Sequence, residues 1–140
     1  MTGFCSTASV AFQAFLGTLD HAFPQVSVVI FGVVPLNLGN AYNATTGIFT
    51  APFNGTYLFT MTIGNPKGKP GTMRMKKNQE SIGYAFAGHT GGGWDQGTQT
   101  IVVRMSVGDV MSVEGDGYVS GNSVEYQKHS SLTGMLINKC

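Results

Sequence analysis

The chain has 140 residues, a formal net charge of +1 and only 11% charged residues. This length suits one domain with its own hydrophobic core. The near-neutral charge excludes a global field that would draw the chain to nucleic acid or to an anionic membrane. The longest apolar run, residues 26–34, is far shorter than the roughly 20 residues that a membrane helix needs, so we expect no membrane insertion.

The first third of the chain predicts two strands separated by a loop. Residues 9–16 are apolar at alternate positions and also carry Phe15 between them, which predicts a first strand that is covered on both faces. Residues 17–25 contain Asp20, His21 and Pro24 and predict a connecting loop. Residues 26–34 predict the second strand, and residues 35–40 lead to the next segment.

The clearest strand signal lies in residues 41–63. After Gly55, apolar Tyr57, Phe59, Met61 and Ile63 alternate with threonines and one leucine, which is the period of a strand with one face inward. Residues 53–55 predict a turn just before it, because glycine accepts positive φ and Pro52 cannot donate to a ladder.

The remaining segments continue this pattern of short strands and turns. Residues 64–71 and the glycine-rich residues 88–97 predict loops, and residues 115–117 predict a turn. Later strands are predicted at residues 72–77, 82–87, 98–105, 110–114 and 130–137. About eight to ten strands at roughly ten-residue spacing indicate an all-β sandwich or jelly roll.

Several of these segments resemble the globular head of complement component C1q. The resemblance is carried by Asn40-Ala41-Tyr42-Asn43, Thr46-Gly47, Phe49-Thr50-Ala51-Pro52, Gly55, Tyr57 and Phe59. It extends to Val10-Ala11-Phe12, Val29-Ile30-Phe31, Val107-Gly108-Asp109-Val110 and Leu132-Thr133-Gly134-Met135-Leu136. Motifs in this order along nearly the whole chain are far more specific than any one short pattern.

The resemblance implies a fold and a function. The fold would be a ten-stranded jelly-roll sandwich of C1q and tumour necrosis factor type, forming one domain over residues 1–140 and assembling as a homotrimer. Because no collagen-like stalk is present, the chain is similar to head-only secreted members that act in innate immunity as pattern-recognition lectins for microbial or host surface carbohydrates. The alternative is an extracellular trimeric receptor ligand or scaffold that binds a protein partner.

The same family has adjacent first and last strands, which bears on the two cysteines. Cys5 and Cys140 lie at opposite ends of the chain, and antiparallel pairing of the terminal strands would bring them together. We therefore expect an intrachain disulfide and an oxidising compartment. Two free thiols, or thiols that pair between chains, are the alternative.

The sequence gives little support for an enzyme. His21, His89 and His129 lie far apart, and none has the spacing of a metal site with another histidine or a cysteine. Residues 117–121 place their serine one position too late for a nucleophile elbow. We expect no catalytic activity and interpret each histidine as a loop or surface residue.

Asp95 and Gln96 are the candidate calcium ligands. A carboxylate beside an amide carbonyl in a glycine-rich loop supplies hard oxygen ligands, and their place before the Gly108-Asp109 turn resembles an apical calcium loop of some C1q-like proteins. Two side chains make an incomplete coordination shell, so neighbouring subunits or water would have to complete it. A solvated polar loop is the alternative interpretation.

A basic cluster is the second candidate site. Five of the eight basic residues fall within eleven positions, and they are Lys67, Lys69, Arg74, Lys76 and Lys77. Such a cluster could bind anionic glycans, sialic acid or lipopolysaccharide phosphate, with Trp94 or Tyr118 stacking on a sugar, and a trimer would gain avidity. The alternative is a solvated hairpin face that keeps the protein soluble.

Two segments match the N-glycosylation sequon. They begin at Asn43, in Asn43-Ala44-Thr45, and at Asn54, in Asn54-Gly55-Thr56. The pattern is necessary for modification but does not ensure it, and a chance match is the alternative.

Overall fold

The computed structural model describes residues 9–17, 20–66, 68–88, 93–120 and 129–139. In these ranges the regular structure is entirely β, and no helix long and apolar enough to cross a membrane is found there. The strands are β1 (Ala11–Phe15), β2 (Asp20–Val28), β3 (Val33–Leu38), β4 (Tyr42–Asn43), β5 (Ile48–Thr50), β6 (Gly55–Pro66), β7 (Gly71–Lys77), β8 (Glu80–Ala87), β9 (Trp94–Met105), β10 (Val110–Ser120) and β11 (Ser131–Lys139).

The strands form two sheets that pack face to face, as a jelly-roll sandwich requires. The five-stranded sheet has the order β3-β1-β11-β6-β9, and the six-stranded sheet has the order β4-β5-β10-β7-β8 with β2 also paired to β10. The predicted all-β sandwich is thus confirmed. The described residues hold eleven strands where ten were expected, because the short β4 and β5 pair with each other across the turn at residues 44–47.

The core lies between the sheets and is built around aromatic rings. Phe49 lies at its centre, with ring centroids 5.6 Å from Tyr57 and 5.2 Å from Phe59 in edge-to-face geometry. Phe12 stacks on Tyr42 at 4.6 Å. Opposite β6, Gly134 of β11 leaves the room that these rings need, since a Cβ there would lie 2.5 Å from Phe12.

The first and last strands pair antiparallel, as predicted. Ala11 of β1 lies opposite Met135 of β11, and Phe15 lies opposite Ser131. Cys5 and Cys140 lie outside the described residues, so the disulfide stays a prediction.

The loop predicted at residues 17–25 is wrong, because β2 begins at Asp20 and pairs with β10. The register of this pair shifts between Gly115 and Gly117, and the residues opposite the shift include Pro24. A proline is tolerated in a strand at such an irregularity, since no ladder hydrogen bond is required of it there. The pairing edge of β10 therefore overrides the local turn signals.

The single strand predicted at residues 26–34 is also wrong, because β2 ends at Val28 and β3 runs from Val33 to Leu38. Glycines accompany three further wrong boundaries. Strand β6 continues to Pro66, β9 already begins at Trp94, and β10 runs through the turn predicted at residues 115–117. A Cβ on Gly97 would lie 2.1 Å from the carbonyl oxygen of Phe86, so this glycine permits close approach of β9 to β8. The glycines in these segments mark tight packing within strands as well as loop ends.

Candidate functional site

A pocket of about 360 Å³ lies at one end of the five-stranded sheet. Its described lining residues are Gly64, Trp94, Asp95, Gln96 and His129. The indole of Trp94 is 45% exposed, although it is the largest apolar side chain of the pocket. This volume is at the low end of the roughly 300–1,000 Å³ that small-molecule sites occupy.

The indole of Trp94 is oriented by His129. Their ring centroids lie 4.2 Å apart at an interplanar angle of 67°, an edge-to-face contact. His129 comes directly before Ser130 and β11, whereas Trp94 begins β9 opposite Pro66 of β6. The sequence-based interpretation of His129 as a loop or surface residue missed this contact, because the two residues are distant in sequence.

Asp95 and Gln96 leave opposite sides of β9, since successive strand residues point to opposite faces. Gln96 is exposed and has the same orientation as Trp94. Asp95 points toward the other sheet, where its Oδ2 accepts a hydrogen bond of 2.9 Å from the backbone N–H of Gly88. The carboxylate therefore joins the end of β8 to the start of β9.

This geometry bears on the predicted calcium site. The side chains of Asp95 and Gln96 do not converge on one point within a single chain, and one Asp95 oxygen already accepts a backbone N–H. Among the described residues there is no group of three or more His, Cys, Asp or Glu side chains that could hold a metal ion. One chain therefore does not supply the six to eight oxygen ligands of calcium from these side chains.

A buried polar network lies directly behind the pocket. Asn65 is fully buried, and its Nδ2 donates to the carbonyl of Tyr118 at 2.7 Å while its Oδ1 accepts from the N–H of Ser120 at 2.9 Å. The hydroxyl of Ser130 donates to the carbonyl of Ser120 at 2.7 Å and accepts from the N–H of Gly64 at 3.2 Å. These bonds tie the ends of β6 and β10 to the residue before β11.

Sequence analysis did not single out Asn65 or Ser130, although one signal was present. Asn65 continues the inward positions of β6 that begin with Tyr57 and Phe59, so a polar amide stands where the alternation demands an apolar side chain. A buried amide of this kind requires hydrogen-bond partners. The partners could not be identified before the topology was known.

The basic cluster is paired with acidic side chains on the neighbouring strand and in the turn before it. Glu114 of β10 lies between two cations, with its carboxylate 3.8 Å from Arg74 Nε and 3.6 Å from Lys76 Nζ. Lys77 Nζ lies 3.9 Å from Asp109 Oδ2. Three cations facing two carboxylates leave a net charge of about one, so the local potential is weaker than the sequence run suggested.

Asp109 is held in its charged form by the turn that it closes. Its Oδ2 accepts a hydrogen bond of 2.9 Å from the N–H of Ser106. This bond lowers the pKa of the Asp109 carboxyl, and Asn78 and Lys77 lower it further. Asp109 is therefore a stable anionic partner for Lys77 at neutral pH.

The other members of the predicted ligand site are separated. Lys69 Nζ lies 5.5 Å from the centroid of the Tyr118 ring, a cation–π contact. Tyr118 lies on β10, whereas Trp94 lies at the start of β9 in the other sheet. Lys67 lies outside the described residues.

Both sequon asparagines are exposed, Asn43 at the end of β4 and Asn54 in the turn before β6. Asn43 Oδ1 accepts hydrogen bonds from the N–H groups of Thr45 and Thr46 at 2.8 and 3.2 Å. Asn54 Oδ1 accepts from the N–H of Val107 at 2.8 Å. These contacts explain the local turns, and glycosylation stays a prediction.

The outer face of the five-stranded sheet carries an apolar row. Its register places one residue from each strand side by side, in the order Leu38, Ala11, Met135, Leu58 and Val102. The two members at the ends of the row are 47% and 60% exposed. Toward the pocket this row is followed by threonine pairs, Thr60 with Thr100 at 3.0 Å and Thr62 with Thr98 at 3.1 Å.

Comparison with known families and proteins gives one consistent result. The C1q domain family matches residues 11–137. "Complement C1q tumor necrosis factor-related protein 3" of Mus musculus is 28% identical over 130 residues, and the protein of the same name from Homo sapiens is 28% identical over 141 residues. Each match covers 91% of this chain and 51% of the relative, so the chain spans about half the length of the curated relatives it matches.

Solved structures share the fold. The globular domain of the zebrafish complement 1qA protein has a TM-score of 0.74 at 17% identity, covering 94% of this chain and 99% of that one. Murine APRIL, in its crystal structure at pH 5.0, has a TM-score of 0.67 at 12% identity, covering 92% and 99%. Identities this low establish the common fold and nothing about ligands.

Proposed function

The chain belongs to the C1q domain family, and from this premise we propose that it is a secreted, trimeric recognition head of innate immunity that binds microbial or host surface carbohydrates. The family is non-catalytic, in agreement with the expectation that the chain is no enzyme. The observation that carries the proposal is the pocket in which the exposed indole of Trp94 adjoins the polar side chains of Gln96 and His129. An aromatic face beside hydrogen-bonding groups is the combination that binds a sugar ring.

The apolar row supports assembly. Members of the C1q and tumour necrosis factor families typically form trimers. A row of exposed Leu38, Met135 and Val102 across one sheet face is a surface that a neighbouring subunit would cover. Three copies of a weak sugar site on one assembly would raise the avidity for a dense glycan surface by orders of magnitude.

The proposal has two narrower parts, which concern anionic ligands and calcium. Lys69, Arg74, Lys76 and Lys77 lie on or beside β7, where their small net positive charge would add to the attraction of sialic acid or lipopolysaccharide phosphate. A calcium ion would need oxygen ligands from more than one subunit, because Asp95 and Gln96 do not complete a shell in one chain. We therefore expect any calcium effect to depend on the trimer.

The test is binding of the purified protein to an array of surface glycans, with calcium and then with chelator. The proposal predicts binding to a defined subset of glycans, and loss of that binding with chelator would assign a role to calcium. Sedimentation of Met135→Asp measures assembly in parallel, since a charge in the apolar row should shift the trimer to monomer. If no glycan binds to a protein shown to be trimeric, the carbohydrate function is overturned.

A protein partner is the second candidate function. Tyr84 and Phe86 are 47% and 57% exposed on β8, on the same side of the strand. Exposed aromatic side chains beside an arginine, here Arg74 opposite Tyr84, are typical of protein-binding hot spots. A pull-down in which Tyr84→Ala loses a protein ligand, while glycan binding is unchanged, would favour this function.

A further inference from the structure

We propose that the pocket beside Trp94 binds the uncharged ring of a neutral glycan, and that the basic strip on β7 is not the primary sugar site. This inference rests on the proposed carbohydrate function and specifies its ligand class. It differs from the anionic ligand that the run of basic residues suggested. Three features of the pocket and its surroundings support it.

The first feature is the charge of the pocket. The described lining residues include neither lysine nor arginine. A carboxylate or phosphate ligand would therefore find no guanidinium or ammonium group among these residues to offset its charge. A ring that bears hydroxyl groups needs no such partner.

The second feature is the match between the side chains and a pyranose ring. The indole of Trp94 supplies an apolar face, and its edge contact with His129 restricts its orientation before any ligand arrives. The amide of Gln96 can donate and accept a hydrogen bond, which suits a hydroxyl group. The backbone of Gly64 forms part of the wall. A side chain has no room there, because a Cβ on Gly64 would lie 2.8 Å from the carbonyl oxygen of His129.

The third feature is the distance of the pocket from the apolar row. Gln96 and Val102 project from the same face of β9 and are separated by six residues, which corresponds to about 20 Å along a strand. The two threonine pairs lie between them. Sugar binding and subunit association can therefore use the same sheet face without competing for the same residues.

The basic strip offers a weaker site by comparison. Glu114 and Asp109 already form ion pairs with the three cations of β7, at distances below 4 Å. These cations are Arg74, Lys76 and Lys77. An anionic glycan would have to compete with these carboxylates for the same donors. The strip would thus add affinity through its small net charge, but it would not select a sugar.

The experiment uses Trp94 as its own reporter, because it is the only tryptophan of the chain. The intact protein is titrated with methyl mannoside, methyl galactoside and N-acetylglucosamine, and separately with sialic acid, while tryptophan fluorescence is recorded. The wild-type protein and the variants described below are then applied to an array of neutral and sialylated or sulfated glycans. We expect fluorescence changes with at least one neutral sugar and none with sialic acid.

Four variants separate the two sites. Trp94→Ala should weaken neutral-glycan binding roughly two- to tenfold, the effect of losing one aromatic stacking contact of about 0.5–1.5 kcal/mol. Trp94→Phe should retain much of it, which distinguishes stacking from misfolding. Tyr84→Ala, which removes an equally exposed ring from the other sheet, and Lys76→Gln combined with Lys77→Gln should leave neutral-glycan binding unchanged.

The possible failures are distinguishable. Binding of anionic glycans alone, abolished by the double lysine substitution and unaffected by Trp94→Ala, would overturn this inference and leave the carbohydrate function intact. Neutral-glycan binding that Trp94→Ala does not weaken would also overturn it. If the trimeric wild-type protein binds neither class, the carbohydrate function itself fails and this inference fails with it.

Discussion

Asn65 offers the sharpest test of how the end of the sandwich is held together. The substitution Asn65→Asp keeps the shape of the side chain but replaces the Nδ2 donor with an oxygen. The acceptor that receives the N–H of Ser120 would remain, whereas the carbonyl of Tyr118, now 2.7 Å from Nδ2, would face a second oxygen. The variant thus replaces the Nδ2 hydrogen bonds to the carbonyls of Tyr118 and, at 3.5 Å, of Ala87 with repulsive contacts in a fully buried position.

The magnitude follows from the protonation state of the new carboxyl. At pH 7 the chain must either bury a carboxylate or bind a proton, so we expect a loss of about 3–4 kcal/mol in the free energy of unfolding. A protonated carboxyl can donate to the carbonyl of Tyr118 and restore the bond. Because burial raises the folded pKa above the unfolded value of about 3.9, the deficit should be small below pH 4 and grow by about 1.4 kcal/mol per pH unit until the folded pKa is reached.

The assay is urea denaturation of the wild type and the variant between pH 3.5 and pH 7.5, followed by circular dichroism. The quantity of interest is the difference between the two proteins at each pH, since it cancels titrations that they share. Asn40→Asp is the matched control, because Asn40 is exposed and should show no comparable pH dependence. A deficit below about 1 kcal/mol at pH 7, or one that does not change with pH, would refute the buried network as described.

Three further predictions concern the core and the charged strip. Burial raises the pKa of Tyr42 to about 12. The contribution of this group to the free energy of unfolding should therefore be fully present below pH 10 and fall by at most about 2 kcal/mol as the pH rises to 12. Alkaline denaturation should show that Tyr42→Phe lacks this loss. Gly134→Ala should lose about 1–3 kcal/mol in urea denaturation, because its Cβ would overlap two phenylalanine rings. Glu114→Gln should elute from heparin at higher salt than Glu80→Gln, because Glu114, unlike Glu80, lies within 4 Å of both Arg74 and Lys76. Equal elution of the two variants would show that these ion pairs do not control anion binding.

The strand pattern could be predicted from sequence wherever one face of a strand is buried. The alternation in β6 located this strand because Tyr57, Phe59 and Met61 all face the core. The wrong predictions concern segments whose structure is determined by contacts with another strand. Strand β2 exists because β10 presents an edge to it, and Gly97 lies within β9 because Phe86 approaches its backbone closely. The residues of a segment do not indicate which distant strand will pair with it.

The candidate site was predicted in parts and assembled only by the fold. Trp94, Asp95 and Gln96 were identified from their composition, yet as a loop with calcium ligands, whereas strand alternation places Asp95 on the side opposite Gln96. His129 was interpreted as a loop or surface residue because nothing in its neighbourhood indicates an indole. The basic cluster is visible in sequence, but its acidic partners, Glu114 on β10 and Asp109 in the turn before it, are identified only by the pairing of β7 with β10.

The pocket and the buried network explain why polar residues and glycines concentrate at this end of the sandwich. A sandwich closed by apolar packing alone would hold its strand ends loosely, since the last residues of each sheet have few neighbours. Here Asn65 and Ser130 fix the strand ends with directional hydrogen bonds, and these bonds include the N–H of Gly64 in the pocket wall. A pocket on such a support is organised before a ligand binds, which reduces the entropy that binding must overcome. Substitutions in the network should therefore weaken the proposed glycan binding even where the fold survives.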